Sequence, residues 1–223
     1  LIKTFLWEIF FFLMGNSMVS AVISKIERWD HKLFLDLYHS DFSKKSKEFA
    51  KIISFFGNIY FWGLLWLGLG VYGYITKDYY LFILITGGFD QSFAIYIIIR
   101  YGIIKRRRPF EILEQHGVKS HDDMIDKTKS FPSGHVTFFL FFGILFAFAF
   151  NSWSLLIVVL IIDILMAGTR LILGVHFPSD VIFGFVFGLA FAILYLGFTY
   201  PYWFQFYYWL GDVFSFLDPM DWF

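Results

Sequence analysis

Residues 130–150 read SFPSGHVTFFLFFGILFAFAF, so a short polar stretch leads directly into a strongly apolar run. From Val136 onward, the run has the composition of a helix that crosses a bilayer. Ahead of it, Pro132 ends any preceding helix, and Ser133 is a preferred N-cap residue. The stretch therefore predicts a membrane helix that begins at a polar, structured end.

The chain as a whole has the composition of a membrane protein. Of its 223 residues, 58% are hydrophobic and 24% are aromatic. A soluble domain has about half apolar and about a quarter charged residues. There is no cysteine, which excludes disulfides, thiolate catalysis and Cys-ligated metals.

The expected fold is all-α, a polytopic membrane protein with six transmembrane helices in a bundle plus interfacial amphipathic helices. Residues 25–51 place apolar side chains at helical spacing among charges, which favours an amphipathic helix in the interface. The aromatic tail 201–223 is also expected to be interfacial. We predict one domain, 1–223, with its core motifs within 100–180. The predicted spans are about 4–24, 56–76, 79–103, 133–151, 153–173 and 180–200.

Because the chain reverses direction with each span, certain span ends must share one face of the membrane. The ends of the third and fifth spans meet the starts of the fourth and sixth. This topology places the cations 100–108, Arg170, Ser133 and Asp180 on the same side. Two carboxyl groups, Asp90 and Asp163, fall inside predicted spans, where a functional and a hydrogen-bonded structural role are both open.

Residues 132–135 have the chemistry of an anion site. Ser133 caps the helix, Gly134 lets an anion approach the backbone, and the first N–H groups and the helix dipole favour negative charge. His135 lies in the same turn and can donate a proton. The alternative is a plain helix cap with an interfacial histidine.

Two further stretches carry charge at span ends. TRLILGVHFPSD, residues 169–180, combines Arg170, His176 and Asp180, which suits a charge clamp, a nucleophile or base, and an orienting carboxylate. RYGIIKRRRPF, residues 100–110, supplies guanidinium groups that match phosphate oxygens. The alternatives are a snorkelling arginine with a capping aspartate, and basic residues that only determine topology.

Taken together, the order and spacing resemble the type 2 phosphatidic acid phosphatase (lipid phosphate phosphatase) superfamily. Its signatures are K-x6-R-P, P-S-G-H and S-R-x5-H-x3-D. Residues 132–135 match the second in full, and Arg170, His176 and Asp180 match the third, with Thr169 in place of Ser. Arg108-Pro109 matches the end of the first. Tyr101 stands at the position of its Lys, so the cation there is expected to be Arg100, with one extra residue, or Lys105.

The resemblance implies roles for these residues. His176 would be the nucleophile that forms a phosphohistidine, Asp180 would hold its tautomer, and His135 would protonate the leaving oxygen and then activate water. Phosphate would be bound by Arg100, Arg108, Arg170, Ser133 and the Gly134 N–H, with Lys105 and Arg106 as further candidates. No metal and no cofactor are expected.

The partners implied are the lipid bilayer and a phospholipid or lipid-pyrophosphate substrate, with no nucleic acid and no obligate protein partner. Candidate substrates are lipid A 1-phosphate, undecaprenyl pyrophosphate, phosphatidylglycerol phosphate and phosphatidic acid. The alternative functions are a phosphotransferase that uses the same site and a non-hydrolytic lipid-binding or transport protein. A soluble haloperoxidase, the related activity, does not fit the membrane spans.

The expected location is the bacterial inner membrane, as a multi-pass protein. Of eighteen Lys and Arg residues, all but Lys3 and Lys77 fall on the predicted catalytic face, so the positive-inside rule would place this face in the cytoplasm. Bacterial relatives of this build usually present the site to the periplasm. Several of the cations belong to the motifs and inflate the count, and we therefore favour the periplasmic side.

Overall fold

The computed structural model describes residues 17–103, 106–122 and 129–214, and all regular structure in these ranges is helical. A π-helical turn, Ile98–Ile103, extends the helix Tyr80–Ile97, and another, Tyr195–Thr199, joins the helices Pro178–Leu194 and Tyr200–Phe214. The all-α prediction is thus confirmed. The helices are α1 (Ser17–Tyr38), α2 (Asp41–Phe55), α3 (Ile59–Thr76), α4 (Tyr80–Ile97), α5 (Pro109–Ile112), α6 (Gly134–Ala149), α7 (Trp153–Ile172), α8 (Pro178–Leu194) and α9 (Tyr200–Phe214).

Four helical stretches within the described residues are long and apolar enough to cross a membrane: Asp41–Thr76, Tyr80–Gly102, Trp153–Ile172 and Pro178–Val213. They coincide with the second, third, fifth and sixth predicted spans. The fourth span corresponds to α6, which is apolar but only 16 residues long. The first, 4–24, lies mostly outside the described residues. The chain is therefore a multi-pass membrane protein, and the number six stays a prediction.

Helix α6 lies at the centre of the bundle, packed against both α7 and α8. Its close approach to α7 depends on Gly143, where a Cβ atom would lie 2.3 Å from the side chain of Val159. Small residues at such contacts let membrane helices approach each other closely. Helix α2 packs on the other side of α7, and α1 contacts both α7 and α8. This packing brings the polar ends of α6, α7 and α8 together.

The aromatic tail is helical as far as Phe214, and its interfacial location stays a prediction. Helix α9 continues from α8 and packs against α4. There, Trp203 Nε1 donates to Gln91 Oε1 at 2.8 Å, and the Tyr207 hydroxyl donates to Asp90. Asp90 therefore has a structural partner. Asp163 is wholly buried in α7, and its carboxylate has no hydrogen bond to a described residue.

Candidate active site

A cavity of about 250 Å³ opens where the polar ends of the helices meet. The three sequence motifs, which are far apart in the chain, each contribute to its wall. Its hydrophilic half can therefore hold an anion between guanidinium groups and imidazoles. The ionisable side chains that line it, apart from tyrosines, are Arg100, Arg108, Arg170, His135 and His176.

His176 lies in the turn between α7 and α8 and is 2% exposed. Gly174, with φ of +78°, ends α7, and the His176 N–H donates to the Arg170 carbonyl at 3.3 Å. The ring Nε2 is 3.3 Å from Arg108 NH1. Burial, and then the charges of Arg108, Arg170 and Arg100, hold the pKa of His176 well below its usual range. The imidazole is therefore neutral near pH 7, as a nucleophile must be.

The contacts of Asp180 differ from those expected of a carboxylate that holds the tautomer of His176 through a hydrogen bond. Its Oδ2 is 3.7 Å from His176 Nδ1, which is longer than a hydrogen bond. The carboxylate instead accepts from the Phe177 N–H at 2.8 Å, from the Ser130 hydroxyl and from Arg106 NH1 at 2.8 Å. The two groups therefore lie side by side in this structure without a hydrogen bond between them.

Arg106 does not line the cavity, in contrast to its predicted place among the phosphate ligands. Its guanidinium group bonds to Asp180, to the Ser179 hydroxyl at 2.6 Å and to Asp30 at 2.6 Å. It also lies over the ring of Phe177, with its Cζ 4.3 Å from the ring centroid. The structure thus assigns Arg106 to the support of the site. Lys105, the other further candidate for phosphate binding, lies outside the described residues.

Arg100 reaches the cavity from the π-helical turn that follows α4. Its NH1 donates to the Tyr96 hydroxyl at 2.8 Å and to the Pro132 carbonyl at 3.2 Å, and its NH2 donates to the Lys129 carbonyl at 2.7 Å. A π turn contains one residue more than an α turn between hydrogen-bonded groups. This extra residue accounts for the longer spacing between Arg100 and Arg108, which favours Arg100 as the first-motif cation.

Arg108 and Arg170 are each held in place by hydrogen bonds to other parts of the protein. Arg108 NH1 donates to the Val175 carbonyl at 2.9 Å, directly before His176. Arg170, 0% exposed, donates to the Ser54 hydroxyl and to Asp122 Oδ2 at 2.8 Å. Ser54 and Asp122 could not be predicted from the sequence, because they lie outside the motifs and are brought to Arg170 only by tertiary packing.

The P-S-G-H stretch forms the N-terminus of α6. Ser133 is the N-cap by backbone position, but its side chain makes no capping bond, and its buried hydroxyl has no hydrogen-bond partner among the described residues. The absence of a side chain at Gly134 leaves room for the Tyr96 hydroxyl, 2.7 Å from where a Cβ would lie. His135 Nε2 is buried and likewise makes no hydrogen bond to a described residue. Its ring faces the cavity and is available to a bound group.

The other half of the cavity is apolar. Side chains from α3, α4 and α6 continue the wall away from the charges, and they are mostly aromatic. Such a lining suits an alkyl chain attached to an anionic group. The residues are Ile59, Trp62, Phe89, Phe93, Phe138 and Phe142.

Comparison with known proteins bears on this arrangement. The sequence profile of the PAP2 superfamily matches residues 79–204, which is more than half of the chain and contains all three motifs. The chain belongs to the PAP2 superfamily. Among the described residues of this PAP2 protein, no group of three or more His, Asp or Glu side chains is arranged to hold a metal ion.

The fold is also similar to that of a solved structure, a transmembrane PAP2-type phosphatidylglycerolphosphate phosphatase from Bacillus subtilis. The TM-score is 0.63 and the sequence identity is 21%, and the match covers 86% of this chain and 94% of that one. At this identity the similarity shows the fold alone. No curated protein sequence matches the chain significantly.

Proposed function

We propose that this single-domain PAP2 protein is a lipid phosphatase that acts through a phosphohistidine on His176. The observation that carries the proposal is the division of one cavity into a half with three arginines and two histidines and a half lined by aromatic side chains. The first half suits a phosphate group, and the second suits the lipid to which it is attached.

Phosphate capture is assigned to Arg100, Arg108 and Arg170, helped by the first N–H groups of α6. Each guanidinium group is already oriented by protein partners, so little side-chain entropy is lost when the anion binds. The three positive charges offset the charge that accumulates on the phosphoryl oxygens, and we therefore propose that no metal or cofactor is needed. The Ser133 hydroxyl, unbonded to described residues, is proposed as a further donor.

In the first step, Nε2 of His176 attacks phosphorus, and the bond between phosphorus and the lipid oxygen breaks. The negative charge of the bound phosphate favours the protonated form of His135, which gives its proton to that oxygen, so the alcohol leaves neutral. The phosphorylated ring of His176 becomes positively charged, and the charge of Asp180, 3.7 Å from Nδ1, stabilises it.

In the second step, His135 removes a proton from a water molecule as the oxygen attacks the phosphohistidine. The bond between phosphorus and nitrogen breaks, inorganic phosphate leaves, and both histidines return to their starting states. His135 thus serves first as acid and then as base, which requires no further proton carrier.

The substrate class that we propose is a phosphate monoester or pyrophosphate on a bacterial envelope lipid. Lipid A 1-phosphate, undecaprenyl pyrophosphate and phosphatidylglycerol phosphate all combine such a group with long alkyl chains. The activity in the name of the structural neighbour supports the last of these. We propose the inner membrane as the location, with the site on the periplasmic side.

The test is phosphate release by the purified protein, in detergent, from a panel of these lipids and phosphatidic acid. We expect release that is lost in His176→Asn, with a water-soluble phosphate monoester turned over far more slowly. No release from any lipid by folded protein would refute the function. Addition of an acceptor lipid separates the alternative, because a phosphotransferase would pass the phosphoryl group to that lipid instead of to water.

The side of the membrane is tested by labelling a single cysteine, since the chain has none of its own. Lys119 is exposed in the loop beside the site. In Lys119→Cys, an impermeant maleimide should react on intact spheroplasts. Reaction only after permeabilisation would place the site in the cytoplasm.

A further inference from the structure

Asp30 on α1 is a fully buried carboxylate that belongs to none of the three motifs. Its Oδ1 accepts from the Ser179 N–H at 2.8 Å, and its Oδ2 accepts from the Ser179 hydroxyl at 2.5 Å. The Oδ2 atom also accepts from Arg106 NH2 at 2.6 Å. Asp30 thus joins the N-terminus of α8 to the arginine that supports Asp180.

These contacts place Arg106 between two carboxylates. Its NH1 donates to Asp180 at 2.8 Å and its NH2 donates to Asp30 at 2.6 Å. Burial opposes its charge, but Asp180 and Asp30 outweigh this effect and raise the pKa of Arg106 above its ordinary value. Two negative groups and one positive group make a cluster with a net charge of −1. Without Asp30, Arg106 and Asp180 would form a neutral pair.

We propose that Asp30 is a positioning residue that offsets the charge of Arg106 and thereby leaves the negative charge of Asp180 available to His176. The inference deepens the proposed function, on which it rests. The phosphorylated ring of His176 is positive, and the net charge of the cluster beside it affects how easily this state forms. Because Asp180 is 3.7 Å from the ring, charge rather than a direct hydrogen bond carries this effect.

The surroundings of His176 show why this negative charge matters. Within the described part of the chain, the other charged groups that face the ring are cations: Arg100 from the turn after α4, Arg108 before α5, and Arg170 from α7. His135, from α6, is the other histidine that lines the same cavity. From α1, His31 stacks on Phe177 with ring centroids 5.2 Å apart, which fixes α1 against the same turn. The net negative charge of the cluster formed by Asp30, Arg106 and Asp180 therefore partly offsets the positive charges of the three guanidinium groups near His176.

The test changes the charge of this cluster in both directions. Asp30→Asn keeps an oxygen for the Ser179 N–H and brings the net charge to zero, Arg106→Gln brings it to −2, and the double variant restores −1. The control is Asp36→Asn, an exposed carboxylate on the same helix. The readout is titration of the His176 ring by NMR on histidine-labelled protein, with the resonance assigned by its absence in His176→Gln.

We expect the pKa of His176 to fall in Asp30→Asn, to rise in Arg106→Gln, and to return towards the wild-type value in the double variant. The control should not shift it. In turnover, Asp30→Asn should lower kcat by about tenfold, with little change in KM because Asp30 does not line the cavity. Loss of folded protein alone would reduce the signal without moving the titration.

An unchanged His176 titration in both Asp30→Asn and Arg106→Gln would overturn the inference. If the Asp30→Asn variant does not yield folded protein, the same test rests on the rise of the His176 pKa in Arg106→Gln and on its reversal in the double variant. Failure of the proposed function is recognised separately, as absence of lipid phosphate release by the wild-type protein, since the titration does not depend on turnover.

Discussion

Substitution of Gly57 by alanine tests whether the placement of His135 governs turnover. Gly57 lies in the turn between α2 and α3 and lines the cavity. A Cβ at this position would be 2.9 Å from both Cβ and Cδ2 of His135 and 3.0 Å from Sδ of Met166. The backbone of Gly57 is open to any residue, so the effect of the substitution arises from these contacts alone.

The contacts also set the size of the effect. Ordinary Cβ contacts begin at 3.4 Å, so His135 or the turn must move by about half an ångström. The Cβ of His135 is fixed to α6, and the shift therefore extends to the ring and its backbone. We expect a loss of about 1–3 kcal/mol in the free energy of unfolding from overpacking. Misplacement of His135, the proposed proton donor, should lower kcat by about tenfold.

The assay is phosphate release together with a thermal melt in the same detergent. The matched control is Gly63→Ala in α3, where nothing lies within 4 Å of the new Cβ, and where kcat should be unchanged and stability equal or higher by up to about 1 kcal/mol. If Gly57→Ala is destabilised but retains the wild-type kcat, the role given to His135 is wrong.

Three further predictions concern charge in the site. Asp122→Asn should lower the melting temperature, because buried Arg170 loses its carboxylate partner, a change that is worth about 3–5 kcal/mol for such pairs. Added phosphate or vanadate should then raise the melting temperature more than in wild type, and an equal rise would count against Arg170 as a ligand. The pKa of His176 is lowered, so kcat/KM should stay constant as the pH is lowered to about 6.5, the ordinary pKa of histidine, and should decrease only below that pH. Arg108→Gln should move this fall to higher pH, and an unchanged profile would contradict the assignment of the acid limb to His176. EDTA should leave activity intact, whereas loss that is restored only by Mg²⁺ would show that a metal takes part.

The sequence predicted most of the site because spacing in the motifs is local. Arg170, His176 and Asp180 follow one helix end, one turn and one helix start, and the chain brings them together with few alternatives. The topology of the spans then placed Arg100 and His135 on the same face. These inferences need only the direction of each helix and the position of its ends.

The supporting residues could not be predicted in this way. Asp30, Ser54 and Asp122 contact their arginines directly from 48 to 116 positions away in the chain, and such contacts depend on how the helices pack. Arg106 was assigned to the phosphate for a similar reason. It stands in the basic stretch 100–108, but its position in the sequence does not show which side of the turn its side chain occupies.

The form of the tail likewise depends on packing. Aromatic residues in 201–214 indicate the membrane interface by composition, yet they also fill a helix contact when polar partners are present. Gln91 and Asp90 on α4 provide such partners for Trp203 and Tyr207. The packing of α9 against α4, which is distant in the sequence, therefore determines how the tail is arranged.

The central claim is that His176 carries the phosphoryl group during turnover. The most direct measurement is rapid mixing of the purified protein with a lipid substrate labelled with ³²P, an alkaline quench that preserves phosphohistidine, and mapping of the labelled peptide by mass spectrometry. The account predicts label on His176 within the first turnover and none in His176→Asn. Turnover by His176→Asn, or label on a different residue, would contradict it.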